Sequence, residues 1–280
     1  MRLLTKGSNL RGKLIWGLVF LRIPFPYLMI GFRLIPSLHG RGLGTAIQLV
    51  GTSCLVAALI YLEREQLSEY NVDPIFLWMF ALGKPIELAM MVAGLGAPST
   101  VIPIYVGYIL ASLVTFWVIR KLTTTVGLQY KRCLPGIAAG MVVGFVCGIG
   151  GGFMIAQQDL LLGVERLETA TSFASVLSLI VYQSAMAGLS EEPLFRGFLW
   201  GHLRLAGWHE NKILVYQAGL FMLAHLQYLF VGYWGSLLLT FLLGLAFGWL
   251  VKRSRAISTT VVAHGIINGL GQFVAGLIMR

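Results

Sequence analysis

Charge is what this chain has least of. Of its 280 residues only 11% are Asp, Glu, Lys or Arg, against about 25% in an ordinary soluble domain. With 57% hydrophobic residues and a mean hydropathy of +0.81, no soluble fold of this length hides its apolar surface, so the solvent has to be largely lipid. Cysteine is scarce too. Cys54, Cys133 and Cys147 are odd in number, lie in or beside apolar runs and lack knuckle spacing. They read as small packing residues rather than a disulfide frame or a metal site. There is no His-Glu-x-x-His, no low-complexity tract and no internal repeat. The last absence weighs against the paired segments of an inverted-repeat transporter. Acids are the scarcer charge, and the formal net charge is +10. In a soluble protein that excess would raise the question of nucleic acid. Here Arg120, Lys121, Lys131 and Arg132, then Lys252, Arg253 and Arg255, cluster in short gaps between apolar runs. That pattern fits loops held against anionic headgroups, so membrane lipid is the expected partner and nucleic acid is not.

What is abundant is apolar sequence. Eight or nine stretches approach spanning length, at 14–32, 44–62, 75–95, 101–119, 134–156, 171–190, 213–231, 233–251 and 257–279. The expected fold is all-α: a polytopic membrane protein with eight or nine membrane helices, some kinked or re-entrant. The first stretch follows Arg2, Lys6, Arg11 and Lys13 as a signal peptide would. Arg22, Pro24 and Pro26 interrupt it and no small-residue cleavage site follows, so it reads as a retained membrane segment, broken or re-entrant. Trp16, Trp117, Tyr130, Trp200, Trp208 and Tyr233 lie near segment ends, as an interfacial belt would. Basic stretches at 120–132, 196–212 and 252–255 alternate with an acidic loop holding Asp159, Glu165 and Glu168. The basic side is therefore expected to be cytoplasmic. The first hundred residues fit that alternation less well, because Arg33 and Arg41 fall outside. Gly140, Gly144, Gly148, Gly150, Gly151 and Gly152 suit close helix approach in lipid.

Ionisable residues inside such runs are expensive, roughly 2.5–3.5 kcal/mol each on insertion scales. A chain keeps them when they pair, face water or do chemistry. Ser190-Glu191-Glu192-Pro193-Leu194-Phe195-Arg196 keeps three together. With Ser190 as a candidate N-cap and Pro193 in a first turn, the segment reads as a helix start or a kink. Glu192 and Arg196, four apart in acid-first order, share a helical face and are expected to pair. Glu191 points about 100° away, which leaves it free for proton transfer. A purely structural ion-pair cluster is the competing reading. His225, after Phe221 and followed by Gln227, lies in a later apolar run. His264 and Asn268 lie in the last one, in a stripe of Thr260, His264, Asn268 and Gln272 that has to face a polar interior. Lys84 and Glu87 form a further charged pair in an apolar run, expected to be structural or cavity-lining.

In order these positions read Glu-Glu-x-x-x-Arg, Phe-x-x-x-His and His-x-x-x-Asn, each on its own segment. Here the chain resembles the CPBP family, the CAAX-processing and bacteriocin-processing intramembrane endopeptidases often labelled abortive-infection proteins. The resemblance covers residues 170–275. It divides the chain into N-terminal membrane helices of unassigned role at 1–165 and a CPBP-like catalytic membrane core at 166–280. It implies a glutamate-activated water. Glu191 would take the water proton with help from His225, His264 and Asn268 would stabilise the oxyanion, and Glu192 and Arg196 would hold the site. A carboxylate in low dielectric and donors aimed at a developing oxyanion suit those roles. The metal question stays open. Glu191, His225 and His264 could form a zinc set, whereas Asn268 and Arg196 suit hydrogen-bonded catalysis better, so no cofactor is firmly expected.

The expected function is an intramembrane endopeptidase opening toward the cytoplasmic side, acting on a peptide or lipid-modified peptide, in a bacterial cytoplasmic membrane. The alternatives are a non-catalytic immunity or peptide-binding membrane protein and, further off, a proton-coupled transporter.

Overall fold

The computed structural model describes residues 4–31, 43–63, 79–82, 130–163 and 173–279. The described residues form helices and turns, with no strand among them. In order these are α1 (Leu4–Arg22), α2 (Pro24–Gly31), α3 (Leu43–Glu63), α4 (Tyr130–Leu162), α5 (Phe173–Gln183), a π-helical turn (Ser184–Gly188), α6 (Leu189–Glu192), a second π-helical turn (Pro193–Leu199), α7 (Trp200–Leu205), α8 (Glu210–Leu223), α9 (Gln227–Phe230), α10 (Trp234–Ser254) and α11 (Ser258–Ile278). Five stretches among them are long and apolar enough to cross a membrane: Leu43–Leu62, Pro135–Leu162, Glu210–Phe230, Trp234–Ser254 and Ser258–Ile278. The protein is an integral membrane protein. The expected stretches 75–95 (but for its residues 79–82) and 101–119, the Lys84–Glu87 pair, Arg33, Arg41, Arg120, Lys121, Glu165 and Glu168 lie outside the described residues.

A glycine seam organises the bundle. Gly136, Gly140, Gly144, Gly148 and Gly152 recur every four residues on one face of α4. A Cβ on any of them would press into Thr259, Ile266, Leu270 or Val274 of α11 or into Ser254 just before it. The contacts climb both helices together, so α4 and α11 run parallel with their backbones nearly touching. Of the glycines expected to pack, Gly150 faces open space and Gly151 meets only Leu239 of α10. The other face of α11 takes α5 antiparallel, through Gly188 on Val261, Gly265 on Ser184 and Gly269 on Ile180. α8 and α10 pair through Gly244 on Ala218 and Gly248 on Leu214. Lys252 Nζ donates to Asn211 Oδ1 at 2.6 Å, which sets the end of α10 beside the start of α8.

Three features differ from the sequence expectation. The segment expected at 171–190 does not stop at the acids but continues helically to Leu205. Ser190 is consequently no N-cap; its hydroxyl donates to the Ala187 carbonyl inside the run. Arg196 is buried in that run, so the exposed turn on the basic side shrinks to 206–209, closed by Arg204 on Glu210 at 2.5 Å. Asp159 lies inside α4, buried, and accepts from the Tyr233 hydroxyl at 2.5 Å rather than sitting in a loop. Trp200 also leaves the expected belt: it is wholly buried and donates from Nε1 to Glu210 Oε2 at 3.0 Å. The broken first segment is found as expected. α1 ends at Arg22 and α2 opens on Pro24, whose missing N–H a helix start tolerates.

Candidate active site

Every residue from 191 to 201 is buried, so this run is the bundle's axis rather than a lipid-facing wall. Its core neighbours come from every side: Ile15 and Leu18 of α1, Ile213 and Phe221 of α8, Val251 of α10, and Ile257. The two π-helical turns bracket Glu191 and Glu192. Pro193 removes one N–H and crowds the carbonyl four residues back, and a wider turn relieves that conflict. Such π-bulges recur at functional sites.

Glu192 and Arg196 pair as their spacing predicts, Nη1 to Oε1 at 3.1 Å, both side chains wholly buried. The guanidinium also donates to the Gly244 carbonyl at 3.4 Å, an oxygen it shares with Gln217 Nε2 at 2.9 Å. It lies 4.2 Å from the Phe221 ring centroid and 5.4 Å from that of Phe247, a cation–π enclosure in a low-dielectric setting. Gly244 is the middle residue of α10, ~15 Å from either end. The ion pair therefore sits near mid-depth.

Glu192 Oε1 takes a second donor, His264 Nδ1 at 2.9 Å. His225 Nδ1 lies 2.8 Å from the Phe221 carbonyl oxygen. Both partners are acceptors, so Nδ1 carries the proton in each ring. That orientation aims both Nε2 atoms at one point. Glu191 Oε2 is 3.7 Å from His225 Nε2 and 3.9 Å from His264 Nε2. This oxygen is buried with no protein hydrogen-bond partner among the described residues. His225 is placed at a break in the helix rather than mid-helix: α8 ends at Leu223 and His225 falls in the turn before α9. Its ring stacks on Tyr228, centroids 5.8 Å apart.

Two site expectations are modified. Glu191 is not free: its Oε1 accepts from Arg22 Nη2 at the end of α1. With Arg22 the charges balance as two carboxylates and two guanidiniums, which is what makes such burial tolerable. Asn268, one turn beyond His264, donates from Nδ2 to Gln183 Oε1 at 3.3 Å and so faces α5. Arg22 was visible in the sequence only as an interruption of an apolar run.

The zinc alternative fares poorly on the donor set. The Arg22 guanidinium occupies the cation position against Glu191, and no group of three His, Cys, Asp or Glu among the described residues is arranged to hold a metal ion. Cys54 and Cys147 are free thiols.

Residues 173–270 match the family model of the type II CAAX prenyl endopeptidases, Rce1-like. The segment is similar to that family of intramembrane proteases, as the three motifs suggested. The chain matches no curated protein and no solved structure.

Proposed function

We propose that this protein is an intramembrane endopeptidase that hydrolyses a peptide bond with a water activated by Glu191. The observation that carries the reading is the meeting of Glu191 Oε2 with the Nε2 atoms of His225 and His264, from three separate helical segments in a charge-balanced core. A water bonded to Oε2 and to His225 Nε2 is oriented by two acceptors. As its oxygen bonds to the scissile carbonyl carbon, its proton passes to Glu191 and the carbonyl oxygen becomes an oxyanion. His264, its Nδ1–H held by Glu192, donates from Nε2 to that oxyanion. Asn268 adds a second donor by leaving Gln183. On collapse the C–N bond breaks and Glu191 returns the proton to the leaving amine. Glu192 and Arg196 hold the frame.

The domain match supports a peptide or prenylated peptide as substrate. The basic ends of α8 and α10 support a site entered from the cytoplasmic side. The non-catalytic reading has one observation in its favour, the Arg22–Glu191 pair, which a purely structural carboxylate would also make.

The test compares protein termini in membranes carrying the wild type or Glu191→Ala. The wild type is expected to produce cleaved termini absent from the variant. Identical termini, with both proteins inserted to the same level, would sink the peptidase reading.

A further inference from the structure

The N-terminal helices lie outside the matched segment, yet they reach its centre. We infer that Arg22 is a positioning residue of the hydrolytic site, so that the working catalytic unit extends to the break between α1 and α2. The inference rests on the peptidase reading and assigns those helices a part in it.

The two oxygens of Glu191 have divided roles. Oε1 is taken by Arg22, and Oε2 alone faces the histidines. A carboxylate gripped on one oxygen cannot rotate about its last torsion, so the grip decides which oxygen meets the water and at what angle. Glu192 has its own fixing partners in Arg196 and His264, and neither makes a hydrogen bond to Glu191. Arg22 is the cation that completes the set.

The break itself is fastened on both sides. Gln48 Nε2 of α3 donates to the Leu21 carbonyl at 3.0 Å. Four residues past the break, the Tyr27 hydroxyl donates to Gln227 Oε1 at 2.9 Å and accepts from the Gln227 N–H at 3.1 Å. Gln227 opens α9, two residues after His225. One short stretch, 21–27, thus grips the acid through Arg22 and the histidine's turn through Tyr27. The Arg22 side chain is 32% exposed against 6% for that of Glu191, so Arg22 forms the wall between the site and its surroundings.

The experiment measures hydrolysis of a farnesylated fluorogenic tail peptide by the full chain in native membranes, for the wild type, Arg22→Ala, Arg22→Lys and Glu191→Ala. Misplacing a reacting group by about 1 Å costs on the order of 100-fold. Arg22→Ala is expected to lose kcat on that scale with KM little changed. Arg22→Lys should recover part of it, and added guanidinium ion should raise the rate of Arg22→Ala but not of the wild type. Turnover by Arg22→Ala at or above the wild-type rate, with Glu191→Ala inactive, overturns this inference and leaves the peptidase reading standing. So do equal losses in the Ala and Lys variants with no response to guanidinium, if both insert and melt as the wild type does. Wild-type turnover by Glu191→Ala overturns the peptidase reading itself, and this inference with it.

Discussion

Two long helical runs flank α11, and they follow opposite rules. α4 packs by shape. Its glycines line one face against α11, while Val142, Phe145, Val146 and Phe153 point outward and are exposed on the bundle. The run from α5 to α7, past its glycine contacts with α11, packs by charge. It is enclosed on all sides between 191 and 201 and carries two acids, an arginine and a proline at its centre. In lipid an apolar helix gains little from burial, so closeness and dispersion have to hold it. A charged helix at that depth needs a complete shell of partners. The first arrangement spreads its stability over many small contacts. The second concentrates it in a few.

That contrast can be broken at either end. The largest effect is expected from Glu191→Gln, which keeps shape and removes the carboxylate proposed as the base. Hydrolysis should fall on the order of 10⁴-fold, and the melting midpoint in detergent should fall less than for a change at the fully buried pair, because Arg22, which loses its anion, is partly exposed. Arg196→Met should act mainly on stability. It leaves Glu192 buried with one cation fewer, which costs about 3–5 kcal/mol, read as a lowered melting midpoint together with lost activity. Asn268→Ala should spare stability and reduce kcat by about 100-fold, the scale of one oxyanion donor. On the shape-packed side, Gly144→Leu forces α4 off Ile266 and should cost about 1–3 kcal/mol of thermal stability. The smallest effect is expected from Gly150→Ala, which meets open space; it should stabilise the helix by up to about 1 kcal/mol. A Gly144→Leu protein as stable as Gly150→Ala would dissolve the distinction between the two runs.

How much of this was legible depended on distance along the chain. Glu192 with Arg196, and the four-residue glycine period of α4, are helical repeats, and a repeat shows itself in the sequence. The alternating direction of the C-terminal helices followed from basic gaps, because those charges have to end at one surface. The π-helical turns were not legible. Pro193 signals a disturbance, but whether the chain breaks or widens depends on neighbours that replace the lost bond. Nor did any glycine or proline announce the turn that carries His225. The Arg22–Glu191 pair joins positions 169 residues apart, and no local spacing encodes it. A weaker signal was available: Arg22 was a cation in an apolar run without an acid nearby, and Glu191 was an acid whose helical neighbours served Glu192 instead. Matching those two leftovers would have suggested the pair. Asn268 on Gln183 had no such signal, since an amide in a polar stripe has many candidate partners.

The same long-range pair bears on how the protein is made. Synthesis delivers the guanidinium of Arg22 to the bilayer well before the acid that neutralises it has left the ribosome. During that interval the first two helices hold an uncompensated cation, disfavoured at mid-bilayer by roughly 2.5–3.5 kcal/mol. They are best accommodated at the headgroup boundary or by an escort. Their docking then becomes a closing step of biogenesis, taken once Glu191 has arrived.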